Sequence, residues 1–193
     1  MSQINLVSWA IRVMTGFSAT APWASTYPSS AAIMVKIAEE APLYAGADGV
    51  RETLALYLAL GIFESGLKQD AEGDCVTPEG KAVASVSGVC PAGSKGHSFC
   101  AFQIGESNFK SLEITKKQIM TDFEVCTRAM QKLVRISFAV CRGRPNADER
   151  LGHYASGGEG CGGARGQGLL ESAHRLRKAK WIFDNKKYQE ELE

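Results

Sequence analysis

A chain of 193 residues with 45% hydrophobic content can bury one ordinary core, so a single domain over residues 1–193 is expected. Its formal net charge of +1, with 22% charged residues, sets aside any requirement for nucleic acid or an anionic membrane as partner. No segment reaches the roughly 18 uninterrupted apolar residues of a transmembrane helix, so no membrane span is expected and the protein should be soluble.

The first residues carry no basic leader, and Arg12 interrupts their apolar stretch before a signal core can form, so no secretory signal is predicted. Residues 1–28 read as an N-terminal extension in which Leu6, Trp9, Ala10 and Val13 recur at helical spacing. Ser29 and Ser30 ahead of Ile33, Met34, Ile37 and Ala38, with Pro42 behind them, predict a short helix. Asp48-Gly49 then offers an N-cap for a helix from about Val50 to Leu67, whose residues are apolar nearly all round. Such a helix belongs in the centre of a bundle. Glu64 is the lone carboxylate near its end, in the run from Ala59 to Leu67. Burial and the negative end of a helix both disfavour a charged carboxylate, which makes Glu64 a candidate proton donor at a cleft.

From Lys68 to about Ser98 glycine, proline, serine and valine replace the helical period, and Val83, Val86 and Val89 hint at short strands in an inserted loop or hairpin lobe. The apolar segment Ala101-Phe102-Gln103-Ile104 follows. Thr121 with Glu124 reads as a capping box heading a long helix that carries Phe123, Met130, Leu133, Val134, Phe138 and Val140 toward the core and ends near Cys141. A helix from about Ala147 leads into His153-Tyr154, then a glycine-rich loop runs from Gly157 to Gly168 and a last helix from Leu169 to Phe183. Arg165, Arg175, Arg177, Lys178, Lys180, Lys186 and Lys187 make this end basic. A solvated helix face is the expected role, with attraction to an anionic polymer such as a cell wall as the alternative. The fold class is therefore mainly α within α+β: a helical bundle around one buried helix, with a small disulfide-bearing lobe.

Six cysteines point to an oxidising destination, which sits oddly with the lack of a signal. Release by lysis or inside a particle reconciles the two. Six cysteines allow fifteen pairings. If Cys126 and Cys141 share one helix, roughly 20 Å separates them, which excludes that pair. The preferred set is Cys75 with Cys90, Cys100 with Cys126 and Cys141 with Cys161, each closing a loop within the lobe or between helices. A zinc site from Cys75, Cys90, His97 and Cys100 competes, but it lacks a Cys-x-x-Cys pair. The acidic stretch from Asp70 to Asp74 has its glycine misplaced for a calcium loop. No metal or cofactor is expected.

Three segments in this order, Glu64-Ser65, then Ala101-Phe102-Gln103-Ile104, then His153-Tyr154-Ala155-Ser156-Gly157, resemble the motifs of the lytic transglycosylase and goose-type lysozyme family. The first matches in full, the second in its glutamine, isoleucine and hydrophobic shape, the third at Tyr154 and Gly157. The resemblance implies a lysozyme-like fold over roughly residues 32–183 and cleavage of peptidoglycan glycan strands. In it Glu64 is the catalytic acid, Ser65 fixes local geometry, Gln103 orients the glycan and Tyr154 hydrogen-bonds the acid or the sugar near it. Phe102, Ile104 and His153 complete the candidate binding residues. Ala155 stands where the family usually carries an asparagine for the sugar's acetamido group, and the spacing from Glu64 to Gln103 is longer than usual, which puts the lobe over one side of the cleft.

In a transglycosylase the same glutamate then serves as base toward the substrate's C6 hydroxyl and leaves a 1,6-anhydro end. A muramidase would instead use a second carboxylate, with Asp70, Glu72, Asp74 and Glu106 as candidates. The third alternative is a non-catalytic lysozyme-shaped component of a phage tail, baseplate or envelope complex. Action in the extracytoplasmic cell wall or periplasm, and carriage by a virion, are the matching expectations of place.

Overall fold

The computed structural model of the chain describes residues 3–144, 146–156, 160–161, 167–185 and Tyr188. Gly157, Arg165, Lys186, Lys187 and most of the predicted glycine-rich loop lie outside the described residues. The architecture is mainly α within α+β, with a small antiparallel sheet in a disulfide-bearing lobe.

The central helix is α3 (Gly49–Ser65), and every residue from Thr53 to Gly61 in it is buried. A helix without a polar stripe satisfies its side chains only by being surrounded. Three helices surround it: α1 (Gln3–Ser18), α2 (Tyr27–Glu40) and α8 (Gln167–Asp184). The long helix α6 (Phe123–Val140) packs on α2 and turns Cys126, Met130, Val134 and Ser137 inward, a spacing of three and four that lines one face. The N-terminal helix packs into the bundle, as its helical spacing of apolar residues implies. Trp9, Ala10, Val13 and Met14 of α1 are fully buried and belong to the same core as α3. The guanidinium of Arg51 lies 5.9 Å from the ring centroid of Trp9 and 4.2 Å from that of Phe183, tying α1, α3 and α8 together.

Several helix boundaries differ from the sequence expectation for identifiable reasons. α2 starts at Tyr27 because Pro28 sits in its first turn, where a fixed φ and a missing N–H are no cost. Asp48 precedes α3 without capping it through its side chain. The buried hydroxyl of Thr53 organises that end instead, donating to Gly49 O at 2.7 Å and accepting from Leu43 N at 2.8 Å. Thr121 is not the cap of α6 but the last residue of α5 (Lys116–Thr121), which follows α4 (Phe109–Leu112). Asp122 caps α6 by accepting from the amides of Glu124 and Val125, and the true capping box is Thr115 with Gln118 at the head of α5. The helix expected from Ala147 is split into a 3-10 turn, Ala147–Glu149, and α7 (Gly152–Ala155).

In the lobe, β1 (Glu72–Gly73), β4 (Ser98–Phe99) and β5 (Ile104–Gly105) form an antiparallel sheet in the order β1-β4-β5, with Phe99 opposite Ile104. β2 (Cys75–Val76) pairs with β3 (Ala82–Val83), and Val86 bridges Val89 at the lobe's tip. The expected strand signals therefore fall in or beside paired backbone. All three expected disulfides are present: Cys75–Cys90, Cys100–Cys126 and Cys141–Cys161, with Cα separations of 5.6, 6.3 and 5.2 Å. With those sulfurs bonded to one another, the competing zinc set has no thiolates to offer. Among the described residues no helix is long and apolar enough to cross a membrane.

Candidate active site

A cleft of about 510 Å³ lies between the lobe and the bundle, and its lining includes Glu64 from α3, Ser98 and Ile104 of the sheet with Gln103 from the turn between them, Leu133 from α6, His153 and Tyr154 from α7, and Arg175 from α8. Glu64 gets there because α3 stops abruptly. Gly66 takes a left-handed φ of 63°, and its amide and that of Leu67 turn back to Ile62 O and Gly61 O. Trp23 Nε1 donates to Gly66 O at 3.0 Å and holds the stop in place. Ser65 Oγ donates to Ala101 O at 2.8 Å, joining the end of α3 to the β4–β5 turn. Ser65 thus fixes geometry without lining the cleft.

That turn is unusual backbone. Cys100 and Gln103 both have positive φ, 65° and 49°, a region that costs non-glycine residues energy and persists only where the surroundings hold it. The Cys100–Cys126 disulfide anchors one end of the turn to α6. The Gln103 side chain anchors the other: Nε2 donates to Cys100 O at 3.0 Å and Oε1 accepts from Ser98 Oγ at 2.8 Å. Gln103 therefore lines the cleft with its amide already engaged by the protein. Ile104 is buried behind it and still contributes to the wall. Phe102 departs from expectation. Its ring is fully buried in the core near Phe123, and what it supplies to the site is its carbonyl, which accepts from Tyr154 Oη at 2.8 Å.

Tyr154 therefore gives its proton to backbone rather than to the acid, and burial, with the nearby Glu64 carboxyl adding to it, pushes its pKa well above the ordinary value. It stays a neutral donor throughout the physiological range. His153 lines the same cleft with Nδ1 2.9 Å from Gly160 O, which requires the proton on Nδ1.

Glu64 itself has a cationic partner that was misplaced from sequence. Arg175, grouped there with a solvated basic face, has a side chain only 5% exposed and makes an ion pair with Glu64. Nε donates to Glu64 Oε1 at 2.8 Å, Nη2 lies 2.7 Å from the same oxygen as an ion-pair contact, and Nη1 donates to Glu171 Oε2 at 3.0 Å. Burial raises the Glu64 pKa above the carboxylate range, Arg175 opposes that rise, and Glu171 and Asp74 add to it. Ser172, Arg175, Ala179 and Ile182 are all buried and recur at spacings of three and four, so position 175 falls on the inward face of α8, a face that is recognisable only once α8 is packed against α3.

Of the four carboxylates considered as a second catalytic acid, Asp70, Glu72 and Glu106 pair with Lys68, Lys116 and Lys95. Asp74 lines the cleft, at a left-handed φ of 48° between β1 and β2. Gly73 beside it has no room for a side chain, because a Cβ there would collide with Gln103 Oε1 and press on Ser98 Oγ. Gly73→Ala is accordingly expected to expel Gln103 from its seat. The activity proposed below should fall about tenfold or more while helix content is kept, and circular dichroism with initial rates checks both.

Among the described residues no group of three or more His, Cys, Asp or Glu side chains is placed to hold a metal ion. No protein-family model, no curated protein and no solved structure matches the chain.

Proposed function

We propose that the protein cleaves the β-1,4 bond between N-acetylmuramic acid and N-acetylglucosamine in peptidoglycan, as a lytic transglycosylase with Glu64 as its single acid and base. The observation that carries this reading is the Glu64 carboxyl group itself: half-buried, raised in pKa, and set on the wall of a cleft that also contains Gln103 and Tyr154. A glycosidic oxygen becomes a leaving group when protonated, and a carboxylic acid whose pKa is raised by burial is suited to protonate it. The carboxylate so formed lies against Arg175 and can take the proton of the C6 hydroxyl, which closes the 1,6-anhydro ring without water. No cofactor takes part. Three disulfides support action in an oxidising extracytoplasmic space such as the cell wall or periplasm, with a phage particle and its tail or baseplate proteins as the matching carrier.

One observation favours a second reading, hydrolysis by a muramidase. Asp74 shares the cleft with Glu64 and is exposed enough to activate water there. Mass spectrometry of the fragments released from purified cell walls separates the two. Ends lighter by one water are expected; reducing ends mean the muramidase, and no release at all leaves only the non-catalytic, structural reading.

A further inference from the structure

We infer that Arg175, itself held by Glu171, is a positioning residue that decides which oxygen of Glu64 carries the transferable proton, keeping Oε1 as acceptor and presenting Oε2 to the glycan. This rests on the glycosidase reading above and deepens it. A guanidinium has five N–H donors and no acceptor. One of those donors, Nε, hydrogen-bonds Oε1 of Glu64, Nη2 stands 2.7 Å from the same oxygen in an ion-pair contact, and Nη1 is taken by Glu171. An oxygen that already accepts one charged N–H bond and faces a second guanidinium nitrogen cannot also hold the acidic hydrogen, which would then point at a cation. The neutral form of Glu64 therefore has its carbonyl at Oε1 and its hydroxyl at Oε2.

Oε2 has no hydrogen-bond partner among the described residues, and Glu64 keeps 14% of its side chain exposed on a cleft wall. The guanidinium cannot swing away to release the carboxyl group. Its carbon lies 4.3 Å from the ring centroid of Phe63, and its third nitrogen is anchored to Glu171 one turn earlier on α8. Arg rather than Lys is needed for this, since only a planar fork reaches Glu64 and Glu171 at once. When the proton leaves Oε2, the negative charge appears beside a cation already in place. The residue that acted as acid is thereby ready as base without any rotation.

The same chain of contacts sets opposite electrostatic pulls on one group. Arg175 favours the charged form of Glu64, while Glu171 on α8 and Asp74 in the lobe favour the neutral form. Tyr154 and His153 of α7 face the same cleft, and Tyr154 remains protonated. Because Glu64 must be protonated to act, the rate falls as pH rises through its pKa. Removing the Arg175 charge raises that pKa and moves the falling limb to higher pH. Neutralising Glu171 lowers it and moves the limb to lower pH.

The experiment compares Arg175→Gln, Arg175→Lys and Glu171→Gln with wild type, using purified walls across a pH series, with 13C-carboxyl NMR titration of Glu64 in each protein and thermal unfolding to show that each is folded. Opposite displacements of the limb are expected for R175Q and E171Q. R175Q should also lose about 10- to 100-fold in kcat with KM little changed, and R175K should not restore it. Displacements of one sign, no displacement, or wild-type kcat in R175K overturn the assignment. If wild type releases nothing from walls, the glycosidase reading is what fails. The Glu64 carboxyl signal still decides the clamp, titrating later in R175Q and earlier in E171Q if it holds, and unchanged if it does not.

Discussion

Glu64→Gln should abolish release of fragments from purified walls, by about 10²- to 10⁴-fold, and leave the fold in place. The amide is close in size and shape to a neutral carboxyl group. Its oxygen can still accept from Arg175 Nε, and Arg175 keeps Glu171 as a counter-charge. What is lost is the ability to give up a proton. Unfolding should therefore stay within about 3 °C of wild type near neutral pH, a displacement worth about 1 kcal/mol in a chain of this size. Its pH dependence should differ in a defined direction. Glu64 has a raised pKa in the fold, so its contribution to stability is whole below the unfolded value of about 4.5 and declines as pH rises through the folded value. That decline belongs to wild type and should be missing from the variant. Turbidity loss and thermal unfolding over a pH series check both parts, and equal clearing of the wall by the two proteins would remove Glu64 from the chemistry.

The parts of this molecule that follow from short-range pattern were readable in its sequence. The seven buried residues from Leu54 to Leu60 leave that stretch of α3 no exposed face, and uninterrupted apolar character says as much without coordinates. Disulfide connectivity was readable only in part: two cysteines at the ends of α6 cannot meet, which removes one pair, and the assembled fold selects Cys75–Cys90, Cys100–Cys126 and Cys141–Cys161 from the pairings that remain. The turn from Cys100 to Gln103 was not readable. Nothing in those four residue types announces two left-handed conformations, and a disulfide and a side-chain amide impose them from outside. The Arg175–Glu64 contact lay beyond motif reading for a related reason. It joins positions 111 residues apart, and a basic segment in isolation reads as surface. Only the buried face of α8, assembled against α3, distinguishes Arg175 from its exposed neighbour Arg177.

Cutting the Cys100–Cys126 bridge, by changing both residues to Ser, should lower stability by about 2–4 kcal/mol, which in a chain of this size lowers Tm by about 4–16 °C. Part of that comes from the loop of sequence separation 26 that the bridge closes in the unfolded chain. The larger consequence is local. Cys100 and Gln103 hold backbone that the surroundings must enforce, and the bridge is the covalent part of that enforcement. Once it is gone, the turn can relax toward negative φ. The Phe102 carbonyl then leaves Tyr154, the Ala101 carbonyl leaves Ser65, and Gln103 leaves Ser98. Three contacts that shape the cleft fail together, so wall cleavage should drop about 10-fold or more even well below the lowered Tm. The Cys75–Cys90 bridge makes a good comparison because it ties the lobe without touching that turn. Its removal should cost comparable stability and much less activity. Hydrogen exchange at residues 98–105 reads the same event without relying on catalysis, and protection kept there after loss of the Cys100–Cys126 bridge would show that the turn stands without it.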